Sequence, residues 1–172
     1  PTKPLYFGPI QMDHSKVFTK DKPQVLIQGT ANETWTRNKS YFKEEWEELI
    51  ASRPEVHWIQ VGLASDEPLH GASDCRGKLS LSAGFSLLAQ ADAFVGTVGF
   101  WMHAAAAVNT PGVIVYGGFE APHQSGYAMH QNLFTTMECS PCWKADCPYD
   151  KACMRQINPE HISQALDLQL NV

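Results

Sequence analysis

The sequence predicts an α/β fold: a Rossmann-like parallel sheet with helices on both of its faces. Short, uniformly apolar segments alternate about four times with segments whose apolar residues recur at helical spacing. Strands without a polar–apolar alternation are buried on both faces, which is typical of a parallel sheet covered by helices. The crossovers of such a sheet are nearly always right-handed, so the expected arrangement is doubly wound.

The predicted domain occupies residues 24–172 and follows an irregular, proline-rich lead-in or linker over 1–23. A chain of 172 residues is of the size expected for one globular domain. The predicted strands are four apolar segments that each end in glycine, at 24–29, 56–62, 93–96 and 113–117.

Four helices are predicted between and after these strands. The first begins at the N-cap Ser40, and the second begins near Ser80. The third is an alanine-rich helix over 102–108, which ends before a proline. The last has Asn158 as its N-cap and a proline at its first position. A long polar segment over 118–137 separates the last two helices from each other.

The composition excludes two classes of partner. The net charge of −5 does not indicate the positively charged surface that nucleic-acid binding requires. No apolar segment approaches the roughly 20 residues that a membrane-spanning helix needs. The N-terminal residues do not resemble a targeting signal, and the expected location is therefore the cytoplasm.

The loops after the strands are the expected ligand sites, because ligands of such sheets bind at the carboxyl ends of the strands. The loop 30–39 carries Thr36, Arg37 and Lys39 directly before a helix. Hydroxyl groups, two cations and a helix N-terminus together suit a phosphate group. The same charges also suit a solvated loop that caps the helix.

The loop after the third strand leads directly into a helix, with the sequence Gly96-Thr-Val-Gly-Phe-Trp-Met-His103. Its glycines allow a ligand to approach the backbone closely, and the helix N-terminus favours an anion. His103 lies in the first helical turn. A histidine beside apolar residues is also compatible with a purely structural position in the core.

The loop after the second strand contains two adjacent carboxylates, Asp66 and Glu67. A carboxylate at this position commonly binds the ribose hydroxyls of a nucleotide. An exposed acidic loop is the alternative. Leu79 precedes the next helix and suits either a contact with a base or core packing.

Four cysteines are concentrated within 15 residues, at Cys139, Cys142, Cys147 and Cys153. Thiolates at this spacing suit a structural zinc or iron ion. Reduced, partly buried thiols and two disulfides are the alternatives, although a cytosolic setting disfavours disulfides.

Two segments resemble the ADP-heptose:lipopolysaccharide heptosyltransferases, which form glycosyltransferase family 9. The segment 91–118 is similar to their strand, glycine-containing Met-His turn, alanine-rich helix, Thr-Pro and second strand. The pattern Cys-Ser-Pro-Cys, Cys-Pro and Cys-Met over 139–154 is similar to the C-terminal tail of the family. The resemblance covers residues 24–168 and implies the C-terminal, donor-binding half of a GT-B fold.

By this resemblance the chain would bind a nucleotide-diphosphate sugar such as ADP-heptose, for transfer by inversion to a glycan or lipopolysaccharide acceptor. The transfer itself would need no cofactor. The implied roles are Thr36, Arg37 and Lys39 for the diphosphate, Asp66 or Glu67 for the ribose, Leu79 for the base, and Thr97, Gly99 and His103 for the phosphate and sugar end.

Two departures from the family pattern affect these expectations. Val98 occupies the position of an aspartate that contacts the donor sugar, and Phe100 and Trp101 replace a Gly-Pro pair. The N-terminal domain with the acceptor site and the catalytic base has no counterpart in this sequence. We therefore expect an excised donor-binding half or a remnant that acts with a partner. The alternative is a non-catalytic nucleotide- or metal-binding module with a structural cysteine cluster.

Overall fold

The computed structural model describes residues 17–19, 21–31 and 36–171. Six parallel strands form one sheet in the order β3–β2–β1–β4–β5–β6, which confirms the predicted α/β fold. The strands are β1 (Gln24–Gln28), β2 (His57–Gln60), β3 (Ser73–Asp74), β4 (Ala93–Thr97), β5 (Gly112–Val115) and β6 (His130–Leu133).

In the described ranges, six helices connect or follow the strands, together with one short 3-10 helix. The helices are α1 (Lys43–Ser52), α2 (Leu81–Gln90), α3 (Phe100–Ala107), α4 (Pro122–Ser125), α5 (Ala152–Arg155), α6 (Pro159–Leu170) and the 3-10 helix Arg37–Lys39. The predicted start of α2 near Ser80 and the predicted cap Asn158 of α6 are confirmed, and both side chains accept a hydrogen bond from a first-turn N–H. The predicted cap of α1 is wrong: Ser40 ends the 3-10 helix, and α1 begins after Phe42.

The sequence did not predict β3, β6, α4 and α5. The strands β3 and β6 form the two edges of the sheet, and each bonds to a single neighbour. The side chains of β3 are exposed, and β6 reads His-Gln-Asn-Leu with only His130 fully buried. Edge strands of this kind lack the apolar run that identifies a central strand.

Helices cover both faces of the sheet, as predicted. On one face Trp46 of α1 and Leu166 of α6 belong to one buried apolar cluster together with Ile27 of β1. On the other face Leu87 of α2 and Met102 of α3 pack in a second apolar cluster. None of the helices in the described ranges is long and apolar enough to cross a membrane.

The lead-in predicted over 1–23 lies mostly outside the described residues. Val17 and Phe18, which are described, are partly buried against the cluster formed by α2 and α3. The regular structure begins with β1 at Gln24.

The strand order reverses between β1 and β4, which are neighbours in the centre of the sheet. The chain leaves β1 toward α1 on one face and leaves β4 toward α3 on the other. Connections that depart in opposite directions open a crevice at the carboxyl ends of the two strands. The fold therefore places a ligand-binding crevice beside Gln28 and Thr97.

Candidate functional site

A cavity of about 530 Å³ opens at this point of the sheet, and we call it the strand-end cavity. Its volume lies within the range of small-molecule sites in proteins. It is lined by Gln28, Thr30, Ala31, Thr36, Lys39, Gly62, Leu63, Asp66, Gly77, Leu79, Leu81, Val98, Gly99, Phe100, Trp101 and Phe119.

The strand-end cavity brings together side chains from three separate predicted loops. Five of the nine residues predicted for a donor site line it: Thr36, Lys39, Asp66, Leu79 and Gly99. These residues are up to 63 positions apart in the sequence, from 36 to 99. The sheet therefore unites the loops after β1, β2 and β4 at one rim.

The other four predicted residues do not line the strand-end cavity. Arg37 is exposed on the 3-10 helix, and Glu67 lines a neighbouring cavity of about 400 Å³. Thr97 is fully buried, and its hydroxyl has no hydrogen-bond partner among the described residues. The Nδ1 atom of His103 lies 2.9 Å from the hydroxyl of Tyr127, so this histidine faces the connection between β5 and β6.

Lys39 provides a cation at the edge of the strand-end cavity. Its Nζ atom lies 2.7 Å from Oε1 of Glu120 and 4.8 Å from the ring centre of Phe119. Glu120 follows the carboxyl end of β5, whereas Lys39 follows that of β1. The ion pair therefore joins two loops and holds the ammonium group beside the cavity.

Thr36 lines the cavity, but its hydroxyl group is already used by the protein. The hydroxyl lies 3.2 Å from the carbonyl oxygen of Lys144 and 3.0 Å from that of Ala145, and it accepts a hydrogen bond from the N–H of Asn38. The side chain caps the 3-10 helix as a result.

The N-terminus of α3 is open toward the cavity. Gly99 is the N-cap residue, and no described side chain caps the first turn. A methyl group added to Gly99 would meet nothing within 4 Å, so a ligand has room to approach the backbone. An uncapped helix N-terminus presents N–H groups and a positive dipole end to an anion.

Asp66 contributes a carboxylate to the wall of the cavity on the β2 side. Its Oδ2 atom accepts a hydrogen bond from the N–H of Leu63 at 2.9 Å. The carboxylate packs closely on Gly62, whose φ of +141° and lack of a Cβ make room for it.

Apolar side chains form the opposite wall. Leu79, Leu81, Phe100 and Trp101 all line the cavity, and Leu81 and Phe100 are 70% and 49% exposed. Exposed apolar groups at the edge of a cavity suit the flat face of a nucleobase. The prediction included only Leu79, although the position of Phe100 directly after the β4 loop was a usable signal.

Gln28 lies at the floor of the cavity, at the end of β1. Its side chain is 8% exposed, and Oε1 has no hydrogen-bond partner among the described residues. Buried polar atoms are normally hydrogen-bonded, so an unpartnered one inside a cavity points to a ligand or a water molecule. Sequence reasoning missed Gln28 because it ends an otherwise apolar strand.

A second, smaller cavity of about 20 Å³ is lined by all four clustered cysteines. None of them forms a disulfide in the described part of the chain. The sulfur of Cys153 accepts a hydrogen bond from the N–H of Gly118 at 3.0 Å, and that of Cys147 accepts one from the N–H of Lys151 at 3.4 Å. Burial raises the pKa of the Cys153 thiol. Within the described ranges, however, no three His, Cys, Asp or Glu side chains form a ready-made metal site.

Comparison with protein-family models matches residues 9–153 to glycosyltransferase family 9 (heptosyltransferase). This chain belongs to glycosyltransferase family 9. The match extends over most of the chain and includes the segment 91–118, on which the predicted resemblance rested. A search of curated proteins finds no significant match.

Solved structures of family 9 enzymes share the fold. ADP-heptose lipopolysaccharide heptosyltransferase II of E. coli has a TM-score of 0.74 at 16% identity, over 92% of this chain and 49% of that one. The iron-containing dodecameric glycosyltransferase TibC of enterotoxigenic E. coli has a TM-score of 0.74 at 21% identity, over 87% and 45%. TibC in complex with ADP-D-β-D-heptose gives 0.75 at 21% identity, over 95% and 49%. The chain thus spans about half the length of these structures.

Proposed function

We propose that this chain binds the sugar donor of a heptosyltransferase-like reaction in the strand-end cavity. The donor is a nucleoside diphosphate sugar of the ADP-heptose type, and the acceptor is a glycan or a lipopolysaccharide. The observation that carries the proposal is that Lys39 and the open N-terminus of α3 at Gly99 line one cavity. TibC, a structural neighbour, has been solved with ADP-D-β-D-heptose, which supports a donor of this class.

The lining of the strand-end cavity suggests a place for each part of the donor. Lys39 and the N–H groups of the first turn of α3 hold the diphosphate. The apolar wall around Phe100 contacts the base, and Asp66 accepts hydrogen bonds from the ribose hydroxyls. Arg37, Glu67, Thr97 and His103 have no direct role in this proposal, because they do not line the cavity.

The chemistry of transfer assigns a catalytic contribution to the diphosphate-binding groups. The bond between the anomeric carbon of the sugar and the β-phosphate oxygen breaks as the acceptor hydroxyl oxygen bonds to that carbon and gives its proton to a general base. Negative charge then accumulates on the departing nucleoside diphosphate. A cation and fixed N–H dipoles at this position stabilise the charge as it develops.

We further propose that the four clustered cysteines close around one structural zinc or iron ion, an arrangement that no three of the described side chains form without the ion. Their thiols line a cavity large enough for a single small ion. The N–H groups of Gly118 and Lys151 already donate to two of the sulfurs, as suits thiolate ligands. Such an ion would stabilise the loop around it and take no part in the transfer.

A non-catalytic nucleotide-binding module is the second candidate. It is favoured by Val98, which lines the cavity with an apolar side chain at a position where family 9 enzymes are expected to have an aspartate that contacts the sugar. A module of this kind would bind ADP and ADP-heptose equally, because nothing would recognise the sugar.

Isothermal titration calorimetry with ADP, UDP, GDP and their sugars tests the proposal. We expect saturable binding of at least one nucleoside diphosphate, and tighter binding of a sugar nucleotide than of its parent diphosphate. Equal affinities for the two would favour the module. The absence of binding heat with every ligand at millimolar concentration would contradict the proposed function.

A further inference from the structure

We propose that Asn38 is a positioning residue that couples the Cys-rich loop, residues 139–153, to Lys39. Binding of a nucleoside diphosphate and the order of the Cys-rich loop then depend on each other. The inference rests on the proposed function, because it assigns the diphosphate to Lys39. None of the four cysteines lines the strand-end cavity, so the loop acts on the ligand through other residues.

The first connection runs through the 3-10 helix that carries Lys39. Asn38 is 5% exposed, and its Nδ2 atom donates a hydrogen bond to the carbonyl oxygen of Lys144 at 2.7 Å. The same atom lies 3.9 Å from the sulfur of Cys142. The hydroxyl of Thr36 makes its two carbonyl contacts to the same part of the loop. Asn38 in this helix and its N-cap Thr36 are therefore both tied to the Cys-rich loop.

The second connection runs through the segment that follows β5. The N–H of Cys142 donates to the carbonyl oxygen of Gly118 at 2.6 Å, and the N–H of Trp143 donates to that of Phe119 at 3.3 Å. The ring of Phe119 lies against the ammonium group of Lys39, and the next residue is its ion-pair partner Glu120. The loop thus holds the groups on both sides of the Lys39 ammonium.

Two glycines allow these segments to meet. A Cβ on Gly117 would lie 2.7 Å from the carbonyl oxygen of Asn38, and one on Gly118 would lie 3.0 Å from the sulfur of Cys153. A real Cβ does not approach a backbone oxygen to 2.7 Å, so the contact with the 3-10 helix requires glycine at position 117, and a Cβ at position 118 would crowd the sulfur of Cys153.

Coupling of this kind is reciprocal. The factor by which ADP binding favours the ordered Cys-rich loop equals the factor by which the ordered loop raises the affinity for ADP. ADP bound to Lys39 holds the 3-10 helix in place and hence the carbonyl of Lys144. Loss of the Asn38 amide leaves Lys39 free to adopt other positions, which weakens its contact with the diphosphate.

Hydrogen–deuterium exchange of the 172-residue chain, with and without saturating ADP, tests the coupling directly. We expect ADP to slow exchange about fivefold or more at the amides of Cys142 and Trp143, although neither residue lines the strand-end cavity. Unchanged exchange throughout 139–153, with ADP shown to bind by calorimetry, would overturn the inference and leave the proposed function intact. Absence of ADP binding would overturn both.

A matched pair of variants tests the role of Asn38. The near-isosteric Asn38→Leu removes the amide, and we expect it to raise the Kd for ADP about tenfold and to abolish the ADP-dependent protection of 139–153. The Kd for adenosine, which has no phosphate, should not change. Asn132→Leu is the control, because its Nδ2 also donates to two backbone carbonyls but lies on β6. An equal loss of ADP and adenosine affinity in Asn38→Leu would indicate general unfolding of the site and overturn the inference. An unchanged Kd for ADP would overturn it as well.

Discussion

The ammonium group of Lys39 lies 2.7 Å from the carboxylate of Glu120, and their side chains are only 24% and 12% exposed. The two residues come from loops that follow different strands, β1 and β5. A half-buried ion pair beside a cavity provides a cation whose position is fixed before a ligand arrives. A diphosphate that enters the strand-end cavity must share this cation with Glu120 or take it over.

Replacing Lys39 should weaken ADP binding more than it weakens the fold. We expect Lys39→Met to raise the Kd for ADP about tenfold or more, because charge-assisted hydrogen bonds to phosphate are strong. Calorimetry measures the change. Lys22→Met removes the same charge before the start of β1, at the other end of the sheet, and should leave the Kd unchanged. Equal effects of the two substitutions would remove Lys39 from the site.

Replacing Phe100 should affect ligands that contain a base. Stacking of a base on an aromatic ring contributes about 1–3 kcal/mol, so Phe100→Ala should raise the Kd for ADP about tenfold. Binding of inorganic pyrophosphate, which has no base, should be unaffected in the same titration. Leu168→Ala, which truncates a 68% exposed side chain on α6, is the control. A parallel loss of pyrophosphate binding would contradict the assignment of this wall to the base.

Much of the fold could be predicted because the central strands carry a strong signal. The segments around Leu26, Ile59, Phe94 and Ile114 are buried on both faces, and an uninterrupted apolar run is the direct consequence. The edge strands β3 and β6 could not be found in this way. Each pairs with a neighbour on one side only, and their side chains are mostly polar, so neither strand has an apolar run.

The candidate site was predictable to the extent that it follows from topology. Lys39, Asp66 and Gly99 lie at carboxyl ends of strands, and the parallel sheet brings such ends to one rim. The direction of an individual side chain depends on packing that the sequence does not display. His103 occupies the predicted turn of α3 but faces Tyr127, and the hydroxyl of Thr36 is taken up by the Cys-rich loop.

The stability of the fold should fall on acidification partly because of His130. Burial lowers the pKa of His130 in the folded chain. Between that lowered pKa and the ordinary histidine pKa of about 6.5, the unfolded chain therefore binds more protons than the folded chain does. The stability that depends on neutral His130 is therefore fully present above about pH 6.5, and it declines as the pH falls toward the pKa of His130 in the folded chain. One such histidine contributes a slope of at most about 1.4 kcal/mol per pH unit.

Urea unfolding at pH 7.5 and pH 5.5 measures this slope. We expect His130→Leu to lose less stability than the wild type between the two pH values. A residual slope should persist, because burial and the nearby Lys22 also lower the pKa of His57. An identical pH dependence of the two proteins would show that His130 does not contribute.

The cysteine cluster should bind a metal when the protein is produced with iron and zinc available. We expect about one ion per chain by elemental analysis, since four thiolates complete a single tetrahedral site. Cys142→Ser should reduce the metal content strongly, whereas Cys75→Ser, outside the Cys-rich loop, should not. Metal-free wild-type protein under these conditions would contradict the proposed structural ion.

A crystal structure of the chain with bound ADP tests the central claim most directly. We expect the diphosphate in the strand-end cavity, between the Nζ atom of Lys39 and the first-turn N–H groups of α3, at hydrogen-bond distances of about 3 Å. The base should lie against Phe100. ADP bound at any other surface, with the Lys39–Glu120 pair undisturbed and the cavity free of nucleotide, would contradict the account.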